Sequence, residues 1–168
     1  SAQGVSTFGA IAGTDNGYRF ANGTSAATPI ASGVAALLLS AHPHLKNTQI
    51  RSIILESASN SSNPNNQIGY GIISANDAIE FPNLENVNNQ YILHKTFLAE
   101  NLIANSVSIV FQVADDMLEA IPITKSGDYE YTYTFPLKNN GDLVEFMIVY
   151  SDSQNNNYTL PQSGKFKF

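Results

Sequence analysis

One serine of this sequence, Ser25, stands where its hydroxyl could act as a nucleophile. It follows Gly23, which permits a sharp turn and the close approach of a ligand, and Thr24, which is a plausible helix cap. An apolar segment begins directly after it, so we expect Ser25 in the first turn of a helix, where several N–H groups lack partners. These groups and the helix dipole favour negative charge. A serine there could attack a carbonyl while its own N–H helps to hold the oxyanion.

The apolar segment predicts a long buried helix over residues 24–41. No Asp, Glu, Lys or Arg occurs from Phe20 to Leu45. Apolar residues cover every face of the helical wheel, which is typical of a helix inside a core. The segment contains Pro29 and Gly33 and is short for a span of about 20 residues, so we expect no membrane span. On spacing alone, a capping serine or threonine on an ordinary core helix is the simpler interpretation.

Composition limits the possible partners. The chain has 168 residues, a net charge of −6 and no cysteine, and it is 43% hydrophobic and 13% charged. A packed core is therefore feasible, in one domain or in two small ones. The acidic balance argues against nucleic acid as a partner. The lack of cysteine excludes disulfides and thiolate metal sites.

The histidines do not offer Ser25 a catalytic base, which must lie within about 2.6–3.2 Å of the nucleophile. If a helix joins them, His42 is about 25 Å from Ser25, and His44 is as far. His94 lies beyond a composition change near residue 82. We therefore expect all three to be surface or helix-terminal histidines, and without nearby carboxylates we assign His42 and His44 no metal. Asp15 lies in a predicted turn and receives no role.

The segment Gly23–Leu37 resembles the nucleophile segment of the subtilisin-like serine peptidases. Their pattern reads Gly-Thr-Ser-Met-Ala-x-Pro before a small-residue helix, and this chain reads Gly-Thr-Ser-Ala-Ala-Thr-Pro, with Ala26 in place of methionine. The likeness continues through His42-Pro43, a second helix from Thr48 and the segment Gly69–Ala75, and it covers roughly residues 1 to 80. It implies that Ser25 is the nucleophile and a backbone oxyanion donor, with Thr24 as oxyanion support.

In that family the catalytic residues follow the order Asp, His, Ser. The resemblance therefore implies that the Asp, the His and an oxyanion Asn precede residue 1. We expect the C-terminal part of a serine endopeptidase that acts on proteins or peptides and is inactive as this chain alone. The resemblance also implies an extracellular or cell-surface location, which no signal segment in this chain itself indicates. A non-catalytic pseudopeptidase or surface-binding protein built on the same scaffold remains the alternative.

We expect no cofactor in these residues. Members of the family often bind structural calcium, but no calcium site can be identified in the sequence. The acidic cluster of Asp115, Asp116 and Glu119 lacks the loop spacing of a calcium site, which needs about six oxygen ligands.

Two regions of different pattern predict two domains. Residues 1–81 are expected to form the C-terminal part of an α/β, three-layer subtilisin-like domain. Residues 82–98 are a linker or first strand, and residues 99–168 a small all-β, sandwich-like module. The module resembles the immunoglobulin- or fibronectin-like modules appended to secreted bacterial peptidases. The stripe of Tyr129, Tyr131 and Tyr133 is expected to pack on a core rather than to bind carbohydrate.

Overall fold

The structure, a computed structural model, describes residues 1–114, 119–137 and 141–168. The contacts divide the chain into two compact units, Ser1–Phe81 and Pro82–Phe168. The acidic pair Asp115 and Asp116 lies outside the described ranges.

One hairpin and three helices make up the N-terminal unit. Its elements are β1 (Thr7–Ala10), β2 (Tyr18–Ala21), α1 (Thr24–Ala41), α2 (Asn47–Glu56) and α3 (Ala75–Glu80). The helix predicted over residues 24–41 is confirmed. It ends where Pro43 follows, because a proline disfavours helical geometry in the residue before it. The β1 and β2 strands pair antiparallel, and the turn between them is closed by a hydrogen bond from the Ile11 N–H to the Gly17 O at 2.9 Å.

The prediction that α1 is buried on all sides is wrong for the described chain. Leu38 is the buried residue of the helix, whereas its neighbour Leu37 is 54% exposed. The α2 and α3 helices contact one side of α1. The cluster that covers that side consists of Leu38, Leu45, Ile53 and Ala78. By length and composition alone, α1 is also apolar enough to cross a membrane, a property that it shares with many core helices of soluble proteins.

The layered α/β arrangement expected for residues 1–81 is not seen in them. Within these residues, all of which are described, the strands form one two-stranded antiparallel sheet. Residues 69–73 contain no strand, and a single bridge joins Asn65 to Gly69. A helix-covered sheet needs several parallel strands, and this part of the chain does not contain them.

The C-terminal unit is built of strands and one 3₁₀ turn, Ala104–Ser106. Its strands are β3 (Asn83–Val87), β4 (Gln90–Thr96), β5 (Ser108–Val113), β6 (Glu119–Pro122), β7 (Thr124–Lys125), β8 (Glu130–Thr134), β9 (Val144–Ser151), β10 (Asn157–Leu160) and β11 (Phe166–Lys167). They form two antiparallel sheets. One has the order β10-β9-β5-β6 with β11 also on β9, and the other has the order β3-β4-β8-β7.

Side chains from both sheets share one core. On β5 and β9 the buried positions alternate, as the period of two of a strand with one buried face requires. Tyr131 is buried in this core and Tyr133 packs against it, whereas Tyr129 is exposed. The buried members are Leu93, Phe97, Val107, Ile109, Phe111, Val113, Ile123, Tyr131, Phe135, Val144, Phe146 and Ile148.

Residues 82–98 contain two paired strands rather than a linker or a single strand. The β3 and β4 strands are joined by Asn88 and Asn89, whose φ angles are 52° and 66°. Two consecutive residues with positive φ make the tight turn that matches the twist of a hairpin, and asparagine tolerates this conformation well. The Asn-rich stretch that follows the unit boundary at residue 82 therefore encodes the turn of this hairpin.

Candidate active site

The Ser25 side chain is exposed in the first turn of α1. The helix begins at Thr24, and Gly23 is its N-cap. The N–H groups of Ala26 and Ala27 both donate to the Gly23 O, at 3.0 and 3.3 Å. The Ser25 N–H precedes them and is one of the groups that the helix itself cannot satisfy. Ser25 thus combines an exposed hydroxyl with a backbone N–H that has no acceptor within the helix.

Gly23 adopts a backbone conformation that only glycine takes readily. Its φ of 131° and ψ of 164° lie in a region essentially restricted to glycine. A Cβ built on Gly23 would lie 3.3 Å from the Ser25 Oγ. The lack of a side chain at this position therefore both permits the turn into the helix and leaves space beside the hydroxyl.

Two hydrogen bonds tie the cap to the segment before β1. The Gly23 N–H donates to the Gly4 O at 2.7 Å, and the Ser6 N–H donates to the Asn22 Oδ1 at 2.7 Å. We call this pair of bonds the clasp. Sequence reasoning did not find it, since the sequence shows Asn22 only as part of a coincidental glycosylation sequon. The Asn-Gly pair before the serine was the available signal.

Thr24 is the first helical residue and not the cap that the sequence suggested. No side chain caps α1, because the cap position falls to Gly23, which has none. The Thr24 O accepts a hydrogen bond from the Thr28 Oγ1 at 2.8 Å. Thr24 is exposed and directly precedes Ser25.

The first turn of α1 carries no charged side chain that would offset the helix dipole. It contains no acidic residue, and the whole stretch from Phe20 to Leu45 is free of charged residues. The partial positive charge of the N-terminus therefore acts on the Ser25 region without an acidic side chain in the first turn of the helix. Asp15 is exposed in the turn between β1 and β2.

The structure does not bring a histidine of the N-terminal unit to Ser25. His42 is the C-cap of α1, at the opposite end of the helix, and His44 follows it. With a rise of about 1.5 Å per residue, His42 is about 25 Å from Ser25. Of the two expected positions, surface or helix-terminal, His42 has the second, and its side chain is buried, at 2% exposed. Its Nε2 donates to the Ile79 O at 3.1 Å, which fastens α1 to α3.

His94 belongs to the C-terminal unit, on β4. Its Nδ1 is 2.9 Å from an oxygen of Glu130 on β8, and its Nε2 is 3.1 Å from an oxygen of Glu85 on β3. Both carboxylates are partly exposed. The His94 side chain is 13% exposed and links three neighbouring strands, so His94 is neither the surface nor the helix-terminal histidine that was expected.

Comparisons with known proteins match the residues around this site. The family model of the subtilase family (peptidase S8) matches residues 4–71. The alkaline elastase YaB of Bacillus sp. (strain YaB) is 42% identical over 77 residues, which are 46% of this chain and 20% of that protein. The halolysin-like extracellular serine protease Nep of Natrialba magadii is 40% identical over 62 residues, which are 37% of this chain and 12% of that protein. This chain thus spans a small part of the relatives it matches.

Among solved structures, a carbohydrate-binding module family 56 beta-1,3-glucan binding domain is similar at a TM-score of 0.42 and 13% identity, over 52% of this chain and 95% of that one. That likeness is too weak to establish a fold or a ligand. The family match, in contrast, covers β1, β2, α1 and α2 together with the Gly-Thr-Ser segment at the start of α1. The subtilase family model therefore matches the part of this chain that contains Ser25.

Proposed function

We propose that the whole protein containing this chain is a subtilisin-like serine endopeptidase in which Ser25 is the nucleophile. The observation that carries the proposal is the exposed Ser25 hydroxyl in the first turn of α1, beside a glycine cap and inside the segment that matches the subtilase family. The α1 N-terminus supplies the environment that favours developing negative charge.

In the proposed reaction, the Ser25 Oγ attacks the scissile carbonyl of a protein or peptide substrate. A histidine takes the serine proton and later donates it to the leaving amine, and an aspartate orients that histidine. The oxyanion lies at the Ser25 N–H, with Thr24 and an asparagine in support. The acyl-enzyme on Ser25 is then hydrolysed by water.

The histidine, aspartate and asparagine of this reaction are supplied by residues outside this chain. The two histidines of the N-terminal unit, His42 and His44, lie at the far end of α1 from Ser25. The His42 Nε2 is also hydrogen-bonded to the Ile79 O of α3. The chain of 168 residues alone is therefore inactive. The exposed side of α1 packs against the remainder of the peptidase domain rather than lipid, because the helix lies within the family-matched residues.

The C-terminal unit is a sandwich-like accessory module in this proposal, similar to immunoglobulin- or fibronectin-like modules, and the protein works outside the cell or at its surface. The location is supported by the relative from Natrialba magadii, whose name describes an extracellular protease. The strand content and single shared core of residues 82–168 support the module.

The test is covalent labelling of the full-length gene product with a fluorophosphonate, in which the serine oxygen displaces fluoride from phosphorus, together with hydrolysis of a protein substrate. We expect label on the Ser25 peptide. Ser25→Ala should abolish labelling and lower kcat by about 10⁴-fold to 10⁶-fold. Ser32→Ala is the matched control, because Ser32 is an exposed serine on the same helix and should leave both activities intact.

A full-length protein that is neither labelled nor active would favour the alternative, a pseudopeptidase that uses the scaffold and the C-terminal unit for binding. Substrate hydrolysis by residues 1–168 alone, lost in Ser25→Ala, would contradict the proposal that the base is supplied from outside this chain.

A further inference from the structure

We propose that Asn22 is a positioning residue that holds the Ser25 hydroxyl in its attacking geometry, an inference that rests on the proposed function. Asn22 does not touch Ser25. It acts through Gly23, the cap between them, by fixing the chain on the other side of that glycine.

The orientation of the Ser25 side chain depends on the backbone conformation of Gly23. Glycine loses more conformational freedom on folding than any other residue, and Gly23 has no side chain that neighbours could hold. Its backbone is held instead by the clasp. The Gly23 N–H donates to the Gly4 O, and the Asn22 side chain accepts from the Ser6 N–H, each at 2.7 Å. Asn22, which directly precedes Gly23, thus supplies the one side chain that takes part in the clasp.

The partner segment is itself ordered for this contact. Ser6 has a φ of 53°, a left-handed conformation that a serine adopts only at a cost. The Gln3 side chain donates to the Val5 O at 3.1 Å and to the Ser6 O at 3.3 Å, and the Thr7 Oγ1 donates to the Gln3 O at 3.1 Å. These bonds present the Ser6 N–H to Asn22.

The reaction rate depends on the distance between the Ser25 hydroxyl and the carbonyl that it attacks. A nucleophile misplaced by about 1 Å can lose about 100-fold in rate. Without the Asn22 acceptor, the Gly4–Gly23 bond remains, so α1 still begins at Thr24, but the segment before it moves more freely. Because the Asn22 side chain is engaged by the Ser6 N–H, its loss should slow the chemical step and leave binding unchanged.

The experiment measures fluorophosphonate labelling of the full-length protein over a range of probe concentrations, which separates the binding constant KI from the rate of reaction kinact. Asn22→Ala should lower kinact about 10-fold with KI within about 2-fold. The matched control is Thr14→Ala. The Thr14 Oγ1 accepts the Gly17 N–H at 3.1 Å, which is an equivalent exposed bond in the β1–β2 turn and away from the cap. It should change kinact by less than about 2-fold.

Hydrogen exchange supplies a second readout on the same proteins. Exchange at the Ser6 amide should accelerate in Asn22→Ala and return to the wild-type rate in Asn22→Asp, because a carboxylate oxygen can accept the same bond. Labelled wild type with unchanged kinact in Asn22→Ala would overturn the positioning role alone, as would a rise in KI at constant kinact. An unlabelled wild type would overturn the proposed function, and the positioning role with it.

Discussion

The two units of the chain differ in how many of their large apolar side chains they bury. The N-terminal unit buries one small cluster and exposes Val5, Phe8, Tyr18, Phe20, Ile30, Leu37, Leu39, Ile68, Tyr70 and Ile72. The C-terminal unit joins two sheets through one core, and its exposed large hydrophobic side chains among the described residues are Val87, Tyr129, Leu143 and Tyr158. Apolar surface left in water forgoes about 25 cal/mol per Å².

The candidate nucleophile and the larger hydrophobic core therefore lie in different units. The unit that carries the candidate nucleophile does not cover its own central helix, whereas the unit with the larger core has no group to which we assign catalysis. Large apolar patches on a protein surface usually mark an interface. We infer that the Ser25 site needs further residues packed on α1, because residues 1–81 alone leave much of that helix exposed.

The largest expected effect is an all-or-none difference when the units are produced separately. Residues 82–168 should unfold in one cooperative, reversible thermal transition, because their core gathers side chains from both sheets. Residues 1–81 should be only marginally stable and should aggregate on heating, because their core is a single small cluster. Circular dichroism on heating and cooling measures both. A sharp, reversible transition for residues 1–81 would break the comparison.

Two adjacent leucines of α1 provide the next test. In residues 1–168, Leu38→Ala should destabilise the N-terminal unit by about 2–5 kcal/mol, since Leu38 is fully buried. Leu37→Ala should change its free energy of unfolding by less than about 0.5 kcal/mol, since Leu37 is half exposed. Urea denaturation followed by the helical signal measures both.

The same pair sharpens the comparison in the full-length protein. If the rest of a peptidase domain covers α1, Leu37→Ala should there cost about 2 kcal/mol or more. An equally small cost in both proteins would mean that the exposed side of α1 stays uncovered.

Local signals in the sequence predicted the elements that carry this site. The lack of charge from Phe20 to Leu45 and the stop at Pro43 were sufficient to give the bounds of α1, because both act within the helix itself. The tyrosines at every second position of residues 129–133 similarly indicated a strand face that packs on a core, since period two is local. The burial of α1 was overestimated because burial depends on what packs against a helix, and a wheel of side chains does not show that.

The missed features are contacts between distant residues. The clasp joins Asn22 to Ser6 across the β1–β2 hairpin, and His42 reaches Ile79 on another helix. Neither contact leaves a periodic pattern. The β3 strand was missed for a different reason, since its sequence Asn-Leu-Glu-Asn-Val is mostly polar and its pairing with β4 depends on the Asn88-Asn89 turn.

A smaller effect is expected at the cap of α1. Gly23→Ala should destabilise the N-terminal unit by about 1–3 kcal/mol, because alanine is strained at a φ of 131°. In the full-length protein it should also slow labelling of Ser25, since the new Cβ would lie 3.3 Å from the Oγ. Gly33→Ala is the matched control. That glycine lies inside α1 with open space at its Cβ, so alanine there should stabilise the helix by up to about 1 kcal/mol. Equal effects of the two substitutions in urea denaturation would contradict the role of the cap conformation.

The smallest expected effect concerns acid stability of the C-terminal unit. Asp152 is 6% exposed, and hydrogen bonds from Asn156, Tyr158 and Gln154 to its carboxylate lower its pKa, with the Asn156 side chain contributing most. A carboxyl whose pKa is lower in the folded state stabilises that state above its unfolded pKa of about 3.9, and the contribution is lost as the pH falls through the folded pKa. The wild type should therefore exceed Asp152→Asn in stability at pH 7, and the difference should shrink below about pH 4.

Salt distinguishes this contribution from that of Glu145 in the same unit. The pKa of Glu145 is lowered by Lys167 first and then Lys165, which donate to its oxygens at 2.6 and 3.0 Å. Because these partners are charged and partly exposed, about 1 M salt should screen the effect of Glu145→Gln. The donors of Asp152 are neutral, so the effect of Asp152→Asn should persist in the same salt. Urea titrations of residues 82–168 from pH 2 to 7, with and without salt, measure both. An Asp152→Asn effect that vanishes with salt would mean that charge pairing, rather than a hydrogen-bonded loop, stabilises this end of the C-terminal unit.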